Sequence, residues 1–182
     1  MSIGTVRTLV LGGIRSGKSR WAEAAITPEQ SVRYIATGPA ADPDTSWARR
    51  LAEHRDRRPP NWTTIESAAV ATQLRADPLT PTLVDDLGGW LTAALDRRNW
   101  DDASIATEVD DLVAAVGAFS APLVLISPEV GLTVVPATAA GRRFTDELGA
   151  LNQRLADCCE RVVLIVAGQP IWLKPVRTEA SR

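Results

Sequence analysis

The stretch from Leu9 to Ser19, L-V-L-G-G-I-R-S-G-K-S, constrains the fold more than any other part of the chain. It contains the full pattern G-x-x-x-x-G-K-[ST]. The apolar run Thr8–Leu11 before the glycines predicts a strand, and Arg20–Ile26 after them predicts the first turns of a helix. In that context the glycines let backbone N–H groups surround a phosphate, and the start of the helix adds partial positive charge. The motif therefore predicts a bound nucleoside triphosphate.

Two side chains of this phosphate loop have predicted roles of their own. Lys18 is expected to reach the β- and γ-phosphates, and the Ser19 hydroxyl is expected to bind Mg²⁺. The loop residues predicted to contact the nucleotide are Gly12, Gly13, Ile14, Arg15, Ser16, Gly17, Lys18 and Ser19. A glycine-rich turn followed by Lys-Ser by chance is the alternative, and the agreement of motif, position and flanking pattern disfavours it.

Length and composition narrow the class of protein. The chain has 182 residues, which suits one domain, and we expect that domain over residues 1–174 with a frayed tail over 175–182. A net charge of −2 argues against nucleic acid as the main partner. No apolar run is long enough for a membrane span and no signal pattern opens the chain, which favours a cytoplasmic protein.

The adjacent Cys158 and Cys159 are expected to pack on a helix rather than form a disulfide.

Strand-like and helix-like segments alternate along the chain. The predicted strands are Thr8–Leu11, Ser31–Thr37, Asn61–Glu66, Thr82–Asp86, Pro122–Ser127, Arg161–Gly168 and a short edge strand, Ile171–Lys174. The predicted helices are Arg20–Ile26, Trp47–Arg57, Ala68–Arg75, Trp90–Arg97, one with an apolar stripe from Ile105 to Phe119, and Ala139–Glu160. This alternation predicts an α/β fold, a mostly parallel sheet with helices on both faces.

Polar side chains stand where several predicted strands end, and ligands of open α/β sheets bind at that edge. The strand-end residues are Thr37, Glu66, Asp85, Asp86 and Glu129. Asp85 is the expected partner of Ser19 in holding Mg²⁺, and a solvated carboxylate is the alternative. The side chain of Asp86 is expected to point to the opposite face of the sheet from that of Asp85, because side chains alternate along a strand.

His54 is the single histidine of the chain, and five arginines lie within a few residues of it. They are Arg49, Arg50, Arg55, Arg57 and Arg58. One interpretation is a solvated basic helix face around a packing residue. The other is a nucleophile among cations that hold a polyphosphate, because a neutral imidazole can attack an α-phosphorus and expel pyrophosphate. The pattern alone does not separate the two.

Five blocks of the chain form a recognisable series: Gly12–Ser19 (G-G-I-R-S-G-K-S), Tyr34–Thr37 (Y-I-A-T), Glu53–Trp62 (E-H-R-D-R-R-P-P-N-W), Glu129–Pro136 (E-V-G-L-T-V-V-P) and Arg142–Ala156 (R-R-F-T-D-E-L-G-A-L-N-Q-R-L-A). In this order they resemble the blocks of one known family, the bifunctional adenosylcobinamide kinase/adenosylcobinamide-phosphate guanylyltransferases of cobalamin biosynthesis. A V-V-L-I-V-A-G run and the pair Leu173-Lys174 complete the resemblance. The phosphate loop is generic, whereas the three later blocks together are specific to this family.

The resemblance implies two reactions. In the first, the hydroxyl of the cobinamide aminopropanol arm is phosphorylated from ATP or GTP. In the second, GTP guanylylates an enzyme histidine, and the GMP passes to adenosylcobinamide phosphate, which gives adenosylcobinamide-GDP in the assembly of the cobalamin nucleotide loop.

The resemblance also assigns residues and a fold. The family's histidine falls on His54, in the block that includes Arg58, and its strand-end acid falls on Asp85. Its post-strand glutamate falls on Glu66, a plausible acceptor for guanine N–H groups. The implied fold is a RecA-like P-loop NTPase sheet, often assembled as a homo-oligomer, in particular a trimer.

Three positions depart from the family pattern. Pro128 stands where Asn is expected, Asp86–Gly89 replaces a Ser/Cys-Leu-Thr pattern, and Glu53 stands where some members carry a second His. The first two concern metal and cobinamide contacts, so they bear on the kinase step more than on guanylyl transfer.

Two rival functions are compatible with a phosphate loop. Another small-molecule P-loop kinase would use Lys18 and Asp85 but would leave the block around His54 without a role. A nucleotide-gated binding module would need hydrolysis or partner motifs, and we recognise none in the sequence.

Overall fold

A computed structural model describes residues 6–26, 31–38, 59–101 and 103–174 of the chain. These residues form a seven-stranded sheet in the order β3-β2-β4-β5-β1-β6-β7. The strands are β1 Arg7–Gly12, β2 Arg33–Ala36, β3 Thr63–Glu66, β4 Thr82–Asp85, β5 Leu123–Pro128, β6 Arg161–Val166 and β7 Gln169–Lys174. All neighbouring strands are parallel except β6 and β7, which pair antiparallel. The predicted mostly parallel sheet is confirmed.

Five helices are described. They are α1 Lys18–Ala25, α2 Val70–Ala76, α3 Leu87–Asp96, α4 Ala106–Gly117 and α5 Ala139–Cys158. Successive residues of a strand face opposite sides of the sheet, so each buried strand supplies two cores. On one face Val10 and Val124 pack with Ala22 and Ile26 of the α1 segment. On the other face the residues next to these two in β1 and β5 pack against α2, α3, α4 and α5. Helices therefore cover both faces, as predicted.

Most predicted elements are found, with shifts at their ends. The helix expected to begin at Trp90 begins at Leu87, because Asp86 caps it: its side chain accepts a hydrogen bond from the Gly89 N–H at 2.9 Å. The strand expected to reach Gly168 ends at Val166, where a tight turn leads into β7. The predicted helix Trp47–Arg57 and the predicted tail 175–182 lie outside the described residues.

The cysteines are free, as expected: Cys158 ends α5 and Cys159, which is buried, follows it. Within the described ranges no helix combines the length and apolar character of a membrane span.

One buried polar pair fixes the end of β5, the strand beside β1. The Ser127 hydroxyl donates to Asn152 Oδ1 at 2.6 Å, and Asn152 Nδ2 donates to the Pro128 carbonyl oxygen at 3.0 Å. Ser127 and Asn152 are both buried, so neither partner can exchange this contact for water. Asn152, which belongs to the N-Q-R-L-A block of α5, thus holds the strand end that leads to Glu129.

We expect Asn152→Ala to lower the free energy of unfolding by about 1–3 kcal/mol, because it leaves a buried hydroxyl and a carbonyl without a partner. The measurement is urea unfolding at equilibrium. In the Asn152→Ala background, a further Ser127→Ala change should cost much less than it does alone, since its partner is already gone. Additive costs would contradict the pairing.

Candidate nucleotide-binding site

The phosphate loop joins β1 to α1 at the carboxyl edge of the sheet. Within it the Ser16 N–H donates to the Gly13 carbonyl at 3.2 Å, and the Trp21 N–H donates to the Gly17 carbonyl at 2.9 Å. Gly17 precedes α1 at a φ of 92°, a left-handed conformation that glycine adopts without steric cost. The predicted strand–loop–helix context of the motif is therefore present.

Two neighbouring strands support the loop through backbone hydrogen bonds. The Glu129 N–H, just beyond β5, donates to the Gly12 carbonyl at 3.1 Å. The Gly168 N–H, in the β6–β7 turn, donates to the Ser16 carbonyl at 2.8 Å. The loop is thus held on both sides before any ligand binds, which reduces the entropy lost when it closes around a phosphate.

Close backbone packing explains two of the glycines. A Cβ on Gly12 would lie 2.9 Å from the Ile165 carbonyl oxygen, and a Cβ on Gly17 would lie 3.2 Å from the Gly168 Cα. Any larger residue at these positions would push the loop away from the β6–β7 turn.

The tip of the loop faces solvent. Gly13, Ile14 and Arg15 are exposed, and Lys18 Nζ donates across the loop to the Gly13 carbonyl at 3.4 Å. A bound phosphate would therefore meet the loop N–H groups and the Lys18 ammonium from outside, without displacing any packed side chain.

Ser19 and Asp85 meet although their strands are not neighbours. β5 lies between β1, which leads to Ser19, and β4, which ends at Asp85. The Ser19 hydroxyl donates to Asp85 Oδ1 at 3.4 Å, and the Tyr34 hydroxyl donates to Asp85 Oδ2 at 2.5 Å. Tyr34 thus fixes the rotamer of the carboxylate and leaves its other oxygen toward the phosphate loop.

Asp86 has a different environment from Asp85, to which it is joined by a cis peptide bond. Its carboxylate faces its own helix, α3, where it caps the Gly89 N–H. Burial, and next the charge of Asp85, raise the pKa of Asp86 above its usual value. Thr37 is buried beside it and donates from Oγ1 to the Asp86 carbonyl at 2.5 Å. Thr37 therefore supports the backbone that carries both aspartates.

The donor set suits Mg²⁺. A hydroxyl from Ser19 and a carboxylate from Asp85 are hard oxygen ligands, and Mg²⁺ usually takes one or two of these with phosphate oxygens and water completing its shell. No group of three or more His, Cys, Asp or Glu side chains that could hold a metal by themselves is found in the described part of the chain. The arrangement fits an ion that arrives with a nucleotide.

The other predicted site residues fall in three places. Glu66 ends the edge strand β3 and is exposed, at the same edge of the sheet as the phosphate loop. The side chain of Glu129 contacts the backbone two residues further on, because its Oε1 accepts a hydrogen bond from the Gly131 N–H at 2.6 Å. His54 and Arg58 lie outside the described residues. Thr37 has been placed above, and Gly38, the residue that follows it, lies next to Gly89.

Gly88 and Pro128, two of the positions that depart from the family pattern, lie next to each other. A Cβ on Gly88 would lie 2.9 Å from Pro128 Cγ and 3.2 Å from Asp86 Oδ1. The proline at the end of β5 therefore occupies the space that a side chain at position 88 would need. Gly88 therefore packs directly against Pro128.

Sequence reasoning missed the roles of Tyr34, Asn152 and Gly168. The strand alternation places Tyr34 and Asp85 on the same, α1 face of the sheet, but their contact also requires β2 and β4 to be neighbours, which the sequence does not state. The Gly168 contact had no sequence signal, since it joins a turn to a loop that is distant in sequence.

Comparisons with known proteins relate the chain to one family. A family model described as "Cobinamide kinase / cobinamide phosphate guanyltransferase" matches residues 8–173. A bifunctional adenosylcobalamin biosynthesis protein CobP of Pseudomonas aeruginosa is 43% identical over 173 residues, which cover 93% of this chain and 98% of the relative. A bifunctional adenosylcobalamin biosynthesis protein CobU of Salmonella typhimurium is 37% identical over 180 residues, with 91% and 98% covered.

Solved structures support the fold alone. The flagellar accessory protein FlaH of Methanocaldococcus jannaschii superposes with a TM-score of 0.54 at 14% identity, covering 98% of this chain and 82% of that one. A type III secretion system ATPase gives a TM-score of 0.51 at 13% identity, covering 88% and 51%. Both are consistent with a P-loop NTPase sheet of the RecA-like kind.

We expect Gly88→Ala to lower the free energy of unfolding by about 1–3 kcal/mol, because the added methyl overlaps the Pro128 ring. Urea unfolding measures it, and Pro128→Ala in the same chain should recover part of the loss. Gly149→Ala is the matched control: Gly149 lies in α5 with open space around its Cα, so alanine should stabilise by roughly 0.5–1 kcal/mol. A neutral or stabilising Gly88→Ala would contradict the packing.

Proposed function

Since this chain belongs to the cobinamide kinase / cobinamide phosphate guanyltransferase family, we propose that it phosphorylates adenosylcobinamide and then transfers GMP from GTP to adenosylcobinamide phosphate. The observation that carries the proposal is the match over almost the whole chain, at 43% identity to a bifunctional relative. The phosphate loop and its Ser19–Asp85 contact supply the chemistry that such a reaction requires.

In the kinase step the loop N–H groups and Lys18 hold the β- and γ-phosphates of ATP or GTP. Ser19 and Asp85 would hold Mg²⁺, which when bound neutralises charge on the phosphates. Tyr34 holds the Asp85 carboxylate toward Ser19, and Thr37 supports the Asp85–Asp86 backbone. The hydroxyl oxygen on the aminopropanol arm of adenosylcobinamide attacks the γ-phosphorus, its proton is released to solvent, and ADP or GDP leaves as the β–γ bridging bond breaks.

In the transfer step we assign the nucleophile to His54. Its imidazole nitrogen bonds to the α-phosphorus of GTP, and pyrophosphate leaves. A phosphate oxygen of adenosylcobinamide phosphate then attacks the same phosphorus, which releases His54 and gives adenosylcobinamide-GDP. Arg58 and the neighbouring arginines stabilise the departing pyrophosphate, and Glu66 accepts hydrogen bonds from the guanine edge.

Location and assembly complete the proposal. ATP and GTP are cytoplasmic metabolites, and we place the protein in the cytoplasm with them. We also propose that the chain forms a homo-oligomer such as a trimer. The edge strand β7 offers a surface for a second copy, because its Ile171, Trp172 and Leu173 are exposed apolar side chains.

The metal assignment predicts that Asp85→Asn raises the Mg²⁺ concentration for half-maximal kinase activity by about tenfold or more, because the amide keeps the volume and removes the charge. A Mg²⁺ titration of the kinase rate measures it. Asp157→Asn removes an equal charge from an exposed position at the far end of α5 and should leave the titration unchanged. An unchanged titration for Asp85→Asn would reject the assignment.

The nucleophile assignment predicts that incubation with GTP and Mg²⁺, without cobinamide, adds one GMP to the protein. Intact-protein mass spectrometry should show the adduct, labile to acid and stable to mild base. His54→Asn should lose the adduct and the guanylyl transfer and retain kinase activity, because the phosphate loop is untouched.

The same experiment separates the rival functions. Cobinamide-dependent phosphorylation without any adduct in the unsubstituted protein would indicate a kinase alone, and neither activity would indicate a nucleotide-gated binding module. An adduct that persists in His54→Asn would move the nucleophile elsewhere.

A further inference from the structure

A solvent-facing apolar loop follows β5, immediately beside the phosphate loop. It runs over residues 129–136, and Leu132, Val134 and Val135 within it are 80%, 87% and 75% exposed. Apolar side chains exposed together in this way mark a surface that another molecule covers. The loop begins at Glu129, whose N–H is bonded to the Gly12 carbonyl, so its first residue touches the phosphate loop.

The loop is fixed at both ends although its side chains face water. At its start Asn152 Nδ2 holds the Pro128 carbonyl, as described above. At its end Arg142 Nη1 donates to the carbonyls of Pro136 and Ala137 at 3.1 and 2.8 Å. Thr138 then caps α5 by accepting from the Gly141 N–H. The exposed apolar residues therefore sit on a preorganised support, which lowers the entropic cost of binding a ligand.

Two adjoining cavities lie along the start of α5, and the first of them also borders this loop. The first, of about 300 Å³, is lined by Val130, Gly131, Thr133, Val134, Val135, Pro136, Arg142, Thr145 and Asp146. The second, of about 490 Å³, is lined by Ser104, Ala139, Arg142, Arg143, Asp146 and Glu147. Arg142 and Asp146 line both, so the two cavities form one surface, apolar on the loop side and polar on the α5 side. We call this surface the loop–α5 shelf.

We propose that the loop–α5 shelf binds the corrinoid ring of the acceptor substrate. This inference rests on the proposed function, which supplies the substrate. A corrin has broad apolar faces and a rim of neutral amides. Val134 and Val135 offer apolar contact for a face, while the carboxylate of Asp146 and the guanidinium of Arg142 offer an acceptor and donors for amides.

The position of the shelf, like its composition, suits the proposed phosphorylation of the arm. The reacting hydroxyl is carried several bonds away from the ring on a flexible arm. A ring on the shelf would lie to one side of the phosphate loop, and the arm would extend toward the γ-phosphate position. After phosphorylation the same arm presents its phosphate to the GMP carrier while the ring stays in place.

A second copy of the chain is a less suitable occupant. A separate group of exposed apolar residues, Ile171, Trp172 and Leu173 of β7, lies along a sheet edge that no described strand covers, and such an edge offers backbone hydrogen bonds to a partner strand. The shelf belongs to a loop and a helix start and offers no such edge.

The test is Val134→Ser combined with Val135→Ser, assayed in the kinase reaction with adenosylcobinamide. Burial of two such side chains predicts a KM for adenosylcobinamide raised by at least about tenfold. The kcat and the KM for GTP should change little, because the contact is the same in the ground and transition states. Leu79→Ser is the matched control, since Leu79 is 75% exposed in the turn before β4, at the opposite edge of the sheet, and should leave every constant unchanged.

Three outcomes would overturn the inference, and each is distinguishable. An unchanged KM for adenosylcobinamide in the double variant removes the shelf from corrinoid binding while the proposed function stands. A loss of assembly in light scattering assigns the shelf to contact between copies. Absence of both adenosylcobinamide phosphorylation and the GMP adduct in the unsubstituted protein refutes the proposed function itself, and the shelf with it.

Discussion

The structure depends on a phosphate loop that the strands on either side of β1 hold by backbone hydrogen bonds. The Glu129 N–H beyond β5 and the Gly168 N–H beyond β6 each donate to a loop carbonyl. These bonds require the backbones to approach closely, which only glycine at positions 12 and 17 permits. The loop conformation is thus set by the sheet and not by the ligand. Groups that must stabilise charge in a transition state act best when they are placed beforehand in this way.

The two adjacent aspartates beside the loop have separate roles. Asp85 faces Ser19 and is oriented by Tyr34, whereas Asp86 is turned into α3 and acts as a helix cap. One aspartate is therefore available to a cation and its neighbour stabilises the backbone. The contact between Pro128 and Gly88 lies directly behind this pair. Gly88 and Pro128, which are forty residues apart in sequence, thus support the same part of the site.

Much of the fold could be predicted from the sequence because the sequence patterns that specify each helix and strand are local. Apolar runs such as Leu123–Pro128 and the stripe of α4 specify their own periodicity, and the G-x-x-x-x-G-K-S motif specifies both its loop and its flanking elements. The pairing of Ser19 with Asp85 also followed, because strand ends of a parallel sheet converge. The Tyr34 contact and the Gly168 turn did not follow, since each depends on which strands are neighbours. The early start of α3 was missed because a strand-end aspartate and a helix cap have the same local appearance.

The β6–β7 turn links the exposed edge strand β7 to the phosphate loop. All six residues of β7 are exposed, so the hairpin is held by its pairing with β6 and by contacts such as the edge-on packing of Trp172 against Trp21, at 5.7 Å between ring centroids. Opening of this hairpin removes the donor that Gly168 provides to Ser16, and the loop then loses one of its two supports. By linkage, a phosphate that binds the closed loop also protects the hairpin from exchange with solvent. The edge of the sheet and the nucleotide are thus thermodynamically coupled through one amide.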